Sequence, residues 1–324
     1  MVNEKLQRTE TDLNIIIDTD PGTDDALALG VASVFFKDNI RAAISSYGNV
    51  DGEQTYSNLV NLANLLKIDC NILKGSLNPL GKDNFIPTDF HGENGLCGLK
   101  LILHGSKREE YNGNNDNRDF LQKLYDALKE YKKVKYVAVA PLTNLAALFD
   151  RFPDSVNYID ELIIMGGGFG VSNMEHNAEY NFSTDPEAVE KVLKCPVNKI
   201  IAPLDMTHQI VFSLDDIENI VGVNRELLSD DMSDPFNVLA KLFYLNYDTS
   251  VKHNNPGAII HDANTFAYMI DKSKCTLQSY EIVPDEYGAV SKHSSGYPAL
   301  VIDKIDRNFI KELLRETFRV IKNY

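Results

Sequence analysis

Short apolar runs rich in β-branched residues alternate along the chain with longer stretches of helical period, and this alternation limits the possible fold more than any other feature. Leu13–Ile17, Arg41–Ser45, Val134–Ala140, Glu161–Met165 and Asn198–Ala202 read as strands. Asp24–Phe36, Tyr56–Lys67, Phe120–Tyr131, Thr143–Phe149 and Asp306–Lys322 carry apolar residues at helical spacing. Another helix is expected from Asp185-Pro186-Glu187, with Pro in its first turn and acids near its positive end. The pattern predicts an α/β protein with an open, mostly parallel sheet and helices on both faces. Ligands of such sheets bind outside the carboxyl ends of the strands. The residues that leave each strand therefore carry the functional reading.

The chain has 324 residues, 44% of them hydrophobic, which is enough for one large core. No Pro/Gly/Ser-rich linker and no internal repeat divides it, so a polar leader, 1–12, and a single domain, 13–324, are expected. The leader has no apolar signal-peptide centre. No apolar run approaches the roughly 18 residues of a membrane span. Cys70, Cys97, Cys195 and Cys275 lack CxxC spacing and fit free thiols in a reducing, cytoplasmic setting. A net charge of -15 argues against gripping nucleic acid or an anionic membrane. It is compatible with a small neutral or cationic substrate.

The first strand runs into Asp18-Thr19-Asp20-Pro21-Gly22-Thr23-Asp24-Asp25, and a helix follows. One acid at a helix N-terminus is favourable, but four carboxylates in eight residues need a counter-charge. A hard cation with oxygen ligands supplies it. Pro21-Gly22 makes a tight turn that brings Asp20 back toward Asp25. Asp24 is expected to point elsewhere, because adjacent helical residues do not share a face.

The stretch from Asp18 to Ala26 closely resembles the N-terminal signature of the inosine-uridine-preferring nucleoside hydrolase family. Further matches extend the resemblance to about Ile302: Gly48-Asn49, Phe90-His91-Gly92, Pro141-Leu142-Thr143-Asn144, Met165-Gly166-Gly167-Gly168, Asn173, Ala178-Glu179-Tyr180-Asn181, Asp185-Pro186-Glu187-Ala188 and Ile260-His261-Asp262-Ala263. It implies a Rossmann-like nucleoside hydrolase fold. It also implies one Ca2+ per subunit, held by Asp20, Asp25, Asp262 and the Thr143 carbonyl. Asp24, Asn49, Met165, Asn173, Glu179, Asn181 and Asp262 are placed on the ribose and His91 near the base. Asp20 and His261 are placed in catalysis.

Read without the family, several of these residues have plainer roles. Gly48-Asn49 is a common turn pair. Thr143 or Asn144 suits a helix cap, and so does Asp262. The glycines after Met165 lack the Gly-Lys-Ser/Thr of a phosphate loop. Leu204–His208 is taken as structural, a buried Asp205 bonded to Thr207 or His208. Tyr244 and Tyr247 are either stacking groups or core.

Cleaving an N-glycosidic bond makes C1' of the ribose cationic. Water must become nucleophilic, the charge must be stabilised, and the departing base needs a proton or a strong hydrogen bond. A bound cation lowers the pKa of its water, with Asp20 as the base. His261 is the candidate donor to the leaving base. The family's purine-specific branch stacks the base on tryptophan, and this chain has none. Uridine- or inosine-type substrates are therefore favoured. The resemblance further implies a homotetramer or homodimer engaged in nucleoside salvage. A Mg2+-dependent phosphatase of the haloacid dehalogenase type is the competing enzyme, since Asp18-Thr19-Asp20 resembles its opening motif, but that chemistry also needs a later lysine. A nucleoside-binding sensor would need no metal-activated water.

Overall fold

The computed structural model describes residues 13–80, 90–101 and 119–324; the expected leader, 1–12, lies outside them. Five strands stand close to where the sequence pattern puts them: β1 (Ile15–Thr19), β2 (Ile40–Ser45), β4 (Val134–Ala138), β5 (Ile159–Met165) and β6 (Lys199–Ala202). Further strands are β3 (Asn71–Lys74), the short pair β7 (Val211–Phe212) and β8 (Ala258–Ile259), and β9 (Cys275–Pro284), β10 (Val290–His293) and β11 (Tyr297–Ile305). The main sheet runs β10-β9-β11-β6-β5-β4-β1-β2-β3. It is parallel from β11 through β3, and only β9 and β10 add antiparallel pairings. The strong β-strand propensity of Ile15-Ile16-Ile17 explains why β1 lies deep in the sheet, fully buried on both faces.

The helices are α1 (Thr23–Phe35), α2 (Gly52–Leu65), α3 (Phe120–Tyr131), α4 (Thr143–Arg151), α5 (Tyr180–Thr184), α6 (Pro186–Lys194), α7 (Leu204–Thr207), α8 (Leu214–Val221), α9 (Pro235–Lys252), α10 (Ala263–Ile270) and α11 (Arg307–Ile321). Side chains alternate across the sheet, so Ile15 and Ile17 join one core and Ile16 the other. The first core is covered by α1, α2 and α8 through α11, the second by α3, α4 and α6. The chain builds outward from β1 twice, to β2 and β3 on one side and to β4, β5 and β6 on the other. The strand order therefore reverses between β1 and β4. Loops diverging from that point leave a crevice at the strands' carboxyl ends.

Candidate active site

The crevice holds a cavity of about 490 Å³. Its floor is built where β1 ends. The tight turn after Asp20 starts α1, and Asp25 serves that helix's first turn. Its Oδ2 accepts from the Gly22 N–H at 2.9 Å, and its Oδ1 from the Asp20 N–H at 3.3 Å. The Thr19 hydroxyl also donates to Asp25 Oδ1, at 2.5 Å. Asn49, leaving β2, ties the two acids together. Its main-chain N–H donates to Asp20 Oδ2 at 2.8 Å, and its side-chain amide donates to the Asp20 carbonyl at 2.9 Å and to Asp25 Oδ2 at 3.0 Å. Asp20 Oδ1 is buried with no partner.

Asp262 arrives from the other end of the chain. It occupies the N-cap of α10 but its side chain caps nothing. Its main-chain carbonyl accepts from the Thr265 N–H and hydroxyl instead, at 3.0 and 2.7 Å. The carboxylate is thereby left for the cavity. Asp24, Asp25 and Asp262 each offer an oxygen within 4.8 Å of the others. The expectation that Asp24 points elsewhere is corrected. α10 begins across the first turn of α1, so the two divergent side chains flank one incoming carboxylate. Thr143, expected to offer its carbonyl, is the first residue of α4 and is not among the residues that line the cavity. Neither Thr143 nor Asn144 caps α4. The Thr143 hydroxyl bonds Tyr47 at 2.7 Å and Asp185 at 2.6 Å, while the Asn144 amide donates to Asp18 at 2.9 Å. Val139, just after β4, lines the cavity at this strand exit.

These carboxyls are buried, and burial is the largest reason that each sits above the usual carboxylate range. The Asp25 charge adds to the rise at Asp20, and the Asp24 charge adds to it at Asp25 and Asp262. Among the described residues, no lysine or arginine lines the cavity. Unpaired buried charge is expensive, so these acids call for a cation or for protons. The donors are all oxygen, the set a hard divalent cation prefers. The lysine that the phosphatase alternative needs is not found at this cavity among the described residues.

Every other site residue expected from the sequence lines the same cavity: Asn49, His91, Met165, Asn173, Glu179, Asn181 and His261. Glu179 caps α5 and also accepts from the Gly167 N–H at 2.9 Å. The Asn181 amide spans the Val139 and Met165 carbonyls, both at 3.2 Å. His91 Nδ1 accepts from the Thr23 N–H at 3.2 Å, which leaves the proton of the neutral ring on Nε2. Burial pushes His91 down to about 4 and His261 to about 3. His261 Nδ1 pairs with the Thr207 hydroxyl at 2.8 Å.

That contact changes the reading of Leu204–His208 as a self-contained structural stretch. Asp205 accepts from the Phe169 N–H at 2.6 Å, Thr207 turns to His261, and His208 lines the cavity with its ring 5.6 Å from that of His261. Sequence reasoning also missed Phe90 and His253, whose rings lie 5.3 Å apart at the same cavity. The signal available was their position, beside a matched histidine and at the end of an amphipathic helix. Tyr244 is core, with its hydroxyl on the Val223 carbonyl at 2.8 Å, and neither it nor Tyr247 lines the cavity.

Comparison with known proteins defines the class. The family model described as inosine-uridine preferring nucleoside hydrolase matches residues 15–312, and the chain belongs to that family. It is a hydrolase of the nucleoside hydrolase type, with a buried Asp24/Asp25/Asp262 cluster able to coordinate a divalent cation. A pyrimidine-specific ribonucleoside hydrolase, RihA, of Escherichia fergusonii is 31% identical over 262 residues, covering 80% of this chain and 79% of the relative. An uncharacterized protein of Schizosaccharomyces pombe is 32% identical over 270 residues, covering 82% of this chain and 78% of its own length. Among solved structures, the plant nucleoside hydrolase PpNRh1 superposes with a TM-score of 0.81 at 24% identity, covering 95% of this chain and 99% of that one. The purine-preferring ribonucleoside hydrolase from Gardnerella vaginalis also reaches 0.81, at 22% identity and with 96% and 100% covered.

Proposed function

We propose that this chain hydrolyses the N-glycosidic bond of ribonucleosides to ribose and free base. The observation that carries the reading is the meeting of Asp20, Asp24, Asp25 and Asp262 in one cavity that, among the described residues, no lysine or arginine lines. Asp25, Asp262 and Asp20 would hold a Ca2+ ion, and the geometry adds Asp24 to that set. For the main-chain oxygen, the Val139 carbonyl suits the position better than Thr143. When bound, the cation supplies positive charge that lowers the pKa of water and engages the ribose hydroxyls.

The remaining work belongs to the chain itself. Asp20 takes the proton of the attacking water through its unpartnered Oδ1. Asp24, Asn49, Asn173, Glu179 and Asn181 surround the sugar, with Met165 against it, and fix C1' toward that water. The neighbouring carboxylates favour the positive charge that grows on the ring. His261 donates to the departing base, oriented by Thr207, and His91 stands beside the base. Uridine- and inosine-type substrates are favoured over the strictly purine-specific branch of the family, whose tryptophans this chain lacks. The pyrimidine-specific relative at 31% identity supports the uridine side of that choice.

The reading also takes 13–324 as one domain, supported by the continuous sheet. It places the enzyme in the cytoplasm as a homodimer or homotetramer acting in nucleoside salvage. Among the described residues, Cys70, Cys97, Cys195 and Cys275 form no disulfide with one another, which fits a reducing compartment. Among the described residues no helix is long and apolar enough to cross a membrane.

A reducing-sugar assay over uridine, cytidine and inosine, with and without chelator, tests the proposal. Ribose release that stops with chelator and returns with Ca2+ is expected. Silence on every nucleoside, or turnover of p-nitrophenyl phosphate in its place, refutes it.

A further inference from the structure

Tyr180 stands between the sugar-side residues Glu179 and Asn181, and the reading above leaves its hydroxyl without a task. That hydroxyl donates to the main-chain carbonyl of Gly48 at 2.6 Å. The N–H of the same peptide group belongs to Asn49 and donates to Asp20 Oδ2 at 2.8 Å. One planar peptide thus joins the phenol to the carboxylate, with both of its polar ends engaged. The approach depends on glycine, since a Cβ at Gly48 would lie 1.9 Å from Asp20 Oδ2. Tyr180 is itself anchored. Its N–H donates to Asn173 Oδ1 at 2.9 Å, and its carbonyl accepts from the Ser183 and Thr184 hydroxyls at 2.9 and 2.7 Å. Burial, and next the Asp20 charge, push the phenol's pKa up, so it remains a donor.

We propose that Tyr180 is a positioning residue: through the Gly48–Asn49 peptide it fixes Asp20 so that Oδ1 is the oxygen free to take a proton. Successive hydrogen bonds polarise one another. Donation into the Gly48 carbonyl strengthens the Asn49 N–H as a donor to Oδ2. The sugar-binding loop and the base are thereby linked by a device absent when position 180 carries phenylalanine. The catalytic consequence rests on the proposed role of Asp20; the orientation of Asp20 does not.

Tyr180→Phe keeps the ring and removes only the hydroxyl. Three measurements on the wild type and this variant test the proposal: kcat and KM for uridine, the thermal midpoint, and the amide resonance of Asn49. The expected result is a kcat lower by about 5- to 10-fold, the scale of one hydrogen bond. KM and the thermal midpoint should stay put, and the Asn49 amide proton should move upfield. An unmoved Asn49 resonance overturns the proposal, and so does an unchanged kcat in an active enzyme. If the variant instead melts early and loses kcat and KM together, the Asn49 shift in the folded fraction decides. A wild type that releases no ribose defeats the functional reading alone, and the amide shift still decides whether Tyr180 sets Asp20.

Discussion

Two groups of acidic side chains in this molecule meet opposite environments. In the cavity, Asp20, Asp24, Asp25 and Asp262 are buried together with, among the described residues, no lysine or arginine alongside. At the start of α8, Asp216 accepts from Arg307 and from Lys311, each at 2.6 Å. Burial pushes the carboxyls of both groups upward. At Asp216 the hydrogen bonds from Lys311 and Arg307 outweigh it and hold the carboxyl well below the usual range. In the cavity, mutual repulsion adds to burial instead. The difference separates two uses of an acid. Asp216 clips α11 to α8 and is satisfied by the fold. The cavity acids are given hydrogen bonds by the fold but no cationic partner among the described residues, which is the arrangement expected of a site awaiting a charge from outside.

Neutralising one member of each group breaks this contrast most sharply. Asp20→Asn is expected to lower turnover of uridine by about 10³-fold, the middle of the range of general-base effects, while the nucleoside still binds by calorimetry. A kcat close to that of the wild type would remove Asp20 from the base role. Asp216→Asn should leave kcat unchanged.

Next in size is the response to the cation. Adding Ca2+ to chelator-treated protein at about 100 times its Kd should stabilise it by about 2.7 kcal/mol, read as a rise in thermal midpoint. Asp262→Asn should lose most of that rise, and Asp216→Asn should keep it. An equal rise in both variants would place the ion elsewhere.

His261→Ala tests the base end of the cavity. The expected loss on inosine exceeds that on an activated aryl riboside by about tenfold or more, because only the poor leaving group needs the donor. Equal losses on the two substrates would leave His261 a packing role.

The smallest effect belongs to the paired acid. Its folded pKa lies below the unfolded one, so its stabilisation is present above the ordinary aspartate value, about 4, and fades as pH falls through the folded value. At pH 7, Asp216→Asn should cost about 1 kcal/mol, or about 2 °C in the thermal midpoint. The gap between wild type and variant should close in acid. A gap that persists undiminished there would mean that Asp216 stabilises by packing rather than by charge.

The parts of the site that were legible in sequence are those built from neighbours in the chain. Asp20, Asp24 and Asp25 stand out because a buried strand delivers them to a helix start, whereas Asn49, Glu179, Asn181 and His261 were marked by the family resemblance, Glu179 and Asn181 lying at the start of α5. Contacts between distant segments were not legible. Thr207 holds His261, His208 reaches the cavity, and Asp24 joins Asp25 and Asp262 rather than turning away. Val139 rather than Thr143 lines the cavity, since a motif fixes which loop approaches the site but not which residue of that loop faces it.

The amino-acid sequence alone determined the layered α/β plan and the acidic loop after the first strand. Both follow from periodicity and from the local cost of crowding like charges, which act over a few residues. Which acids share one crevice was decided by tertiary structure. It depends on α10 packing against α1, and that contact is made inside the first core, which gathers residues from most of the chain rather than from any short stretch of it.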